Sequence, residues 1–107
     1  MFLLKIRHPK YYFILRGNHE CENIKSKTFF SSRVYGFLDE CRTRYGGEVL
    51  WRKFQPAFDL LPVAALVSNK IFCMHGGLSP YLNTFQQIRN MRLPLPSPDG
   101  PGLLADL

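Results

Sequence analysis

The sequence predicts an α/β fold, on three observations. A short apolar run rich in aromatics, residues 11 to 15 (YYFIL), reads as a buried strand. Two stretches, 33–45 and 48–59, place apolar residues at helical spacing. Two further short apolar segments, 62–67 and 70–74, flank Ser68-Asn69, a pair suited to a tight hairpin turn.

Taken in order, residues 2–7 read as the last turns of a helix closed by His8-Pro9, a tail that hints at truncation. After the strand at 11–15 comes the polar loop RGNHEC. In RVYGFLDECRTRY, Val34, Phe37, Leu38 and Cys41 fall at i, i+3, i+4 and i+7, and Glu40 can face Arg44 one turn on. Gly46-Gly47 stops this helix. Leu50, Trp51, Phe54 and Phe58 form the stripe of the next, where Pro56 is expected to kink the helix or start a new turn. Residues 83–91 suggest a short helix with Asn83 as N-cap. LPLPSPDGPG has no periodicity, and LLADL begins another apolar element. No internal repeat is visible.

At 107 residues, 46% of them apolar, the chain is the size of one small domain and is not disordered by composition. Fourteen Lys and Arg against eight Asp and Glu give a formal charge of +6, which favours anionic partners in general. The basic residues are scattered without a run of five, so no dedicated nucleic-acid surface is expected. Cys21, Cys41 and Cys73 form no C-x-x-C pair, and reduced thiols in a cytoplasmic or nuclear protein are expected. The apolar start MFLLKIRHP is too short for a signal peptide, and no stretch is long enough to span a membrane.

The polar loops GNHE and HGG both stand at expected strand C-terminal ends, the edge where ligands bind in layered α/β folds. Asn18, His19 and His75 can therefore converge although far apart in sequence. Their chemistry suits phosphate-ester hydrolysis. That reaction needs charge neutralised on the phosphoryl oxygens, a nucleophilic hydroxide and a proton for the leaving alkoxide; two divalent ions about 3.5–4 Å apart supply the first two. An amide oxygen is a hard neutral ligand, imidazole suits manganese, iron or zinc, and a nearby imidazole can give the proton. The glycines of HGG allow a metal or phosphate close to the backbone. Each residue also has a plainer reading. Asn18 suits a turn, His19 a hydrogen-bonded loop histidine, and His75 a strand end. His8 reads as surface and Glu20 as structural; Arg16 suits a phosphate contact or a loop brace, and is assigned to neither.

LRGNHE, then YGFLDEC, then LPVAALVSNKIFCMHGGLSP resembles, in order and spacing across residues 3–92, the phosphoprotein phosphatase family of serine/threonine phosphatases, within the metallophosphoesterase superfamily. YGF-x-DEC and GLLADL are most similar to its type 1 branch, with type 2A close behind. The resemblance implies a β-sandwich flanked by helices, with two metals at the strand ends. It implies metal-dependent hydrolysis of phosphoserine and phosphothreonine esters by a water activated between two divalent ions, manganese first and iron or zinc as alternatives. Asn18 matches a metal ligand that also contacts the phosphate, His75 a ligand of one metal, and His19 the proton donor to the leaving oxygen. Tyr35 matches an aromatic residue of the substrate groove, against a plainer role in helix packing. Phosphoprotein substrates and regulatory subunits are implied as partners, with neither nucleic acid nor membrane.

The family's Asp-x-His segment, and its Gly-Asp segment ending in Asp-Arg-Gly, precede the first matching residue. They carry three metal ligands, a phosphate-clamping Arg and the Asp that holds the catalytic His charged. A later His ligand, a second phosphate Arg and an active-site Tyr fall beyond Leu107. Residues 1–107 are thus expected to be the central part of the catalytic domain, a partial fold lacking both ends. KSKTFFSS after Ile24 departs from the family pattern, and residues 25–32 are expected to be an inserted loop. Three readings follow: part of an active phosphatase; a catalytically inactive binding or regulatory remnant; and a basic nucleic-acid binder, for which no motif speaks.

Overall fold

A computed structural model describes residues 1–21 and 36–107. The inserted loop expected at 25–32, Tyr35, and the start of the helix expected from Arg33 lie outside the described residues.

Helix α1 spans Phe2–Arg7 and ends at His8, whose amide donates to the Leu4 carbonyl at 2.8 Å. Helix α2, Phe37–Tyr45, starts behind an extended Gly36 and stops at Gly46. Gly46 takes the left-handed conformation (φ 71°) common where a helix ends, and its amide reaches back to the Arg42 carbonyl at 3.0 Å. The Glu40–Arg44 pair forms at 2.9 Å. Helix α3, Val49–Phe58, is continuous through Pro56, so no separate turn starts there. Pro56 sits in the last turn, so its missing N–H removes one backbone bond near the helix end. The apolar side chains on either side of it stay on one face.

That face builds the core. Trp51 and Phe58 are buried, and Phe54 stacks on Phe58 with ring centroids 5.7 Å apart. Phe37 of α2 meets Phe54 edge-on at 5.1 Å, and Phe2 of α1 lies 5.9 Å from Phe54. Each such ring pair adds about 0.5–1.5 kcal/mol beyond the area it buries. Cys41, fully buried, completes the inner face of α2. Glu48 accepts from Arg42 of α2 and from Arg52 of α3, tying the two helices at their junction.

Strands β1 (Ala64–Val67) and β2 (Ile71–Met74) form an antiparallel hairpin, with Ala64 opposite Met74 and Val67 opposite Ile71. Ser68 (φ 51°) and Asn69 (φ 54°) both take the left-handed conformation, and the Lys70 amide closes the turn on the Val67 carbonyl at 3.0 Å. This is the backbone that tight hairpin turns need. Helix α4, Phe85–Arg89, packs Phe85 on Phe72 of β2 with centroids 5.0 Å apart. Its N-cap is Thr84 and not the expected Asn83; the Gln87 side chain accepts from both amides, at 2.9 and 2.7 Å. Helix α5 spans Leu103–Asp106.

The α/β class therefore stands, with a two-stranded sheet among the described residues. The strand expected at 11–15 does not form. Tyr11 and Phe13 are 87% and 72% exposed, and beyond them the Arg16 amide donates to the Pro62 carbonyl at 2.9 Å. An apolar, aromatic run becomes a strand only where a neighbouring strand pairs with its backbone. No helix among the described residues is long and apolar enough to cross a membrane.

Candidate functional site

Arg16 opens the first loop and is buried. Its guanidinium donates to the Asp59 carboxylate at 3.0 Å, to the Glu20 carbonyl at 3.2 Å and to the Leu95 carbonyl. Asp59 follows the last residue of α3, so the loop is tied to the helical core. Of the two roles open from the sequence, Arg16 takes the brace.

Residues Asn18–Glu20 then make one turn of 3₁₀ helix behind the extended Gly17. The Glu20 carboxylate accepts the Gly17 amide at 2.9 Å and closes the turn on itself, the structural role expected for it. A 3₁₀ turn advances three residues per revolution, so neighbouring side chains point about 120° apart. Asn18 and His19 diverge for that reason.

Asn18 turns toward the second loop. His75 directly follows β2, and its Nε2 lies 3.1 Å from the Asn18 Oδ1, a contact across 57 residues of sequence. The amide oxygen is an acceptor, so the ring nitrogen donates in this contact. A Cβ on Gly17 would crowd the contact, standing 3.1 Å from the His75 Nδ1 and 2.9 Å from the Glu20 Oε2. Both side chains are exposed at the mouth of a cleft of about 320 Å³, walled by Cys21, Val63, Leu104 and Leu107.

His19 points the other way. Its Nδ1 would lie 3.1 Å from a Cβ on Gly36, and it lines a separate hollow with Phe37 and Glu40 at the start of α2. The structure thus brings Asn18 and His75 together and sets His19 on the far side of the same turn. Tyr35 is outside the described residues.

The HGG glycines serve an internal contact. The Gly76 amide donates to the Leu107 carbonyl and the Gly77 amide to the Asp106 carbonyl, both at 2.8 Å. A Cβ on Gly76 would overlap the Asp106 carbonyl oxygen and sit 3.2 Å from its carbon, whereas one on Gly77 meets nothing within 4 Å. Ser79, also buried, donates to the Asp106 carboxylate at 2.6 Å and accepts the Tyr81 amide at 3.1 Å. Sequence reasoning had no signal for this strap, because its two halves lie 27 residues apart.

The 3.1 Å contact is a hydrogen bond, and its length is also compatible with two atoms that share an ion. Two donors bound at about 2.1 Å and roughly at right angles to one ion stand about 3 Å apart, near the separation of the Asn18 oxygen and the His75 nitrogen. The same two residues cannot by themselves enclose an ion, and the described residues hold no group of three or more His, Cys, Asp or Glu able to do so.

The sequence model of the calcineurin-like phosphoesterase family matches residues 1–106. The chain belongs to this family. Among solved structures it is similar to a protein serine/threonine phosphatase from Saccharomyces cerevisiae, itself described as having similarity to human phosphatase PP5. The two are 33% identical with a TM-score of 0.78, over 98% of this chain and 31% of that one. The chain thus spans about a third of the length of the phosphatase it matches, and its fold is a partial phosphoesterase fold. Members of the calcineurin-like family generally work with two divalent metals. In this chain, GNHE and HGG are the two loops whose side chains meet at the cleft.

Proposed function

We propose that this chain carries part of the catalytic centre of a serine/threonine protein phosphatase, with Asn18 and His75 as metal ligands, Asn18 also touching the phosphate, and His19 as proton donor. The contact of Asn18 with His75 carries the proposal. It joins a hard amide oxygen and an imidazole nitrogen, a donor set that suits manganese, with iron or zinc as alternatives. When bound, two such ions would neutralise the phosphoryl oxygens and make water a nucleophile at neutral pH. On binding an ion the His75 Nε2 would give up the proton it donates to Asn18, and both atoms would face the ion in place of each other. In this reading the His19 ring, which lines a separate hollow at the start of α2, swings across the turn to give its proton to the oxygen that leaves a phosphoserine or phosphothreonine. Tyr35 belongs to the substrate groove in this reading. Phosphoproteins are the substrates, regulatory subunits choose among them, and the protein works in the cytoplasm or nucleus.

The second reading is a chain that turns over no substrate by itself and acts, when folded, as a binding or regulatory remnant. The two-donor site among the described residues favours it. Both readings expect the 107-residue chain alone, given manganese and a chromogenic phosphate ester, to show no appreciable turnover; turnover that disappears in His19→Ala would overturn that expectation. The catalytic roles are tested in a chimera in which this chain replaces the matching third of the Saccharomyces phosphatase. His19→Ala is expected to lower kcat by roughly 10²- to 10⁴-fold with little change in KM, because the proton is needed in the transition state. A rise in KM at unchanged kcat would contradict the role of His19. An inactive parent chimera would favour the remnant.

A further inference from the structure

Arg16 and Ser79 are the polar side chains buried among the described residues, and each lies within four residues of one half of the Asn18–His75 pair. We propose that these two are positioning residues that hold Asn18 and His75 at ligand distance, an inference that rests on the reading of that pair as metal ligands.

Asn18 and His75 are exposed, so packing alone does not fix them; their separation is set by the backbones that carry them. Arg16 fixes the first. Its fork takes acceptors from three separate stretches: Glu20 at the end of the turn, Asp59 after α3, and Leu95 in the proline-rich loop. The Leu95 amide in turn donates to the Asp59 carbonyl at 2.7 Å, which locks those two stretches together. Only a guanidinium presents donors spread widely enough for all three; an ammonium keeps the charge but not the fork. Ser79 fixes the second loop. Its hydroxyl holds the Asp106 carboxylate while the carbonyls of Asp106 and Leu107 take the two amides directly after His75. The two anchoring systems share no residue, and the His75–Asn18 bond spans them.

The test uses the full chain, isotopically labelled, with the nuclear Overhauser effect between the His75 ring and the Asn18 side-chain amide as a metal-free reading of their contact. Manganese is the probe of the site. In Arg16→Lys and in Ser79→Ala the Asn18–His75 effect is expected to weaken several-fold. The manganese concentration that broadens both residues is expected to rise roughly 10- to 100-fold, as when outer partners of metal ligands are removed. Ser79→Thr should restore both. Both variants lose buried hydrogen bonds and should unfold at lower urea than the parent, but without urea the Phe54–Phe58 contacts should keep their parent strength, so that the loss is confined to the Asn18–His75 pair and is not a general loosening of the fold. An unchanged Asn18–His75 effect in both variants overturns the proposal, and so does a weakening of the Phe54–Phe58 contacts in the same proportion. If manganese broadens neither residue in the parent chain, the same titration in the chimera with the Saccharomyces phosphatase decides the metal reading, and the metal-free measurement decides the positioning role. Should Arg16→Lys fail to fold, the Ser79→Ala and Ser79→Thr pair decides the outcome.

Discussion

Replacing Gly76 with alanine tests whether the HGG loop needs its first glycine for the close approach of α5. The added methyl would overlap the Asp106 carbonyl oxygen and press on the Asp106 and Leu107 carbonyl carbons at 3.2 and 3.3 Å. Those are backbone atoms, which cannot rotate aside, so α5 must lift. Lifting it breaks the Gly76–Leu107 and Gly77–Asp106 bonds and the Ser79–Asp106 bond. At about 1 kcal/mol net for each hydrogen bond, the loss is about 3 kcal/mol. Releasing the buried Leu107 side chain adds at most about 2 kcal/mol more. A domain of this size is stabilised by roughly 5–15 kcal/mol, so the effect should be large. The single tryptophan, Trp51, is buried and reports unfolding by fluorescence in urea. Gly77→Ala is the control: its methyl meets open space and its amide still donates, so it should change stability by less than about 1 kcal/mol. If Gly76→Ala unfolds within about 0.5 kcal/mol of the parent, or Gly77→Ala loses as much, the close approach of α5 is not what this glycine serves.

Two further substitutions probe the elements that place the site. Pro56→Ala should raise the urea midpoint, by about 1–3 kcal/mol of stability, because it returns one backbone bond to α3 and removes the ring from its last turn; a fall would mean that the proline packs favourably where it stands. Asn69→Val should cost about 1–2 kcal/mol, since a β-branched residue resists the left-handed backbone at φ 54°; equal urea midpoints would show that the hairpin turn does not depend on that tolerance.

The elements legible in the sequence were those whose signals are local. Helical spacing in 33–45 and 48–59 marked the faces that Phe37, Cys41, Trp51 and Phe58 bury. Ser68-Asn69 marked the hairpin because few residue types tolerate two consecutive left-handed positions. The run at 11–15 misled because strand formation depends on a partner the run itself does not encode. Asn83 looked like a cap by residue type, yet Thr84 took the position because Gln87 lies three residues beyond it and can reach its amide. Within the site, the convergence of Asn18 and His75 was foreseeable from the rule that loops after strands gather at one edge. The rule held for only one of the two loops: His75 leaves β2, whereas Asn18 leaves an extended segment with no ladder. Arg16 could not be resolved from sequence, since a basic residue beside a phosphate-binding motif fits a ligand contact and a brace equally well. Its burial decides between them.

The 3₁₀ turn also separates the two tasks that the proposed chemistry needs. A ligand must be held rigidly, and a proton donor must be able to follow a departing oxygen. Asn18 leaves the turn toward anchored backbone: His75, the Gly76-Gly77 strap and the cleft wall. His19 leaves about a third of a revolution later, over the extended Gly36, where the absence of a Cβ gives its ring room. One short helical turn, closed by the Glu20 carboxylate on the Gly17 amide, can therefore aim two successive side chains into different hollows without any loop of its own for either. Inserting a residue between Asn18 and His19 would rotate the imidazole onto another side of the turn, and displacing Glu20 would remove the carboxylate that ties off the turn.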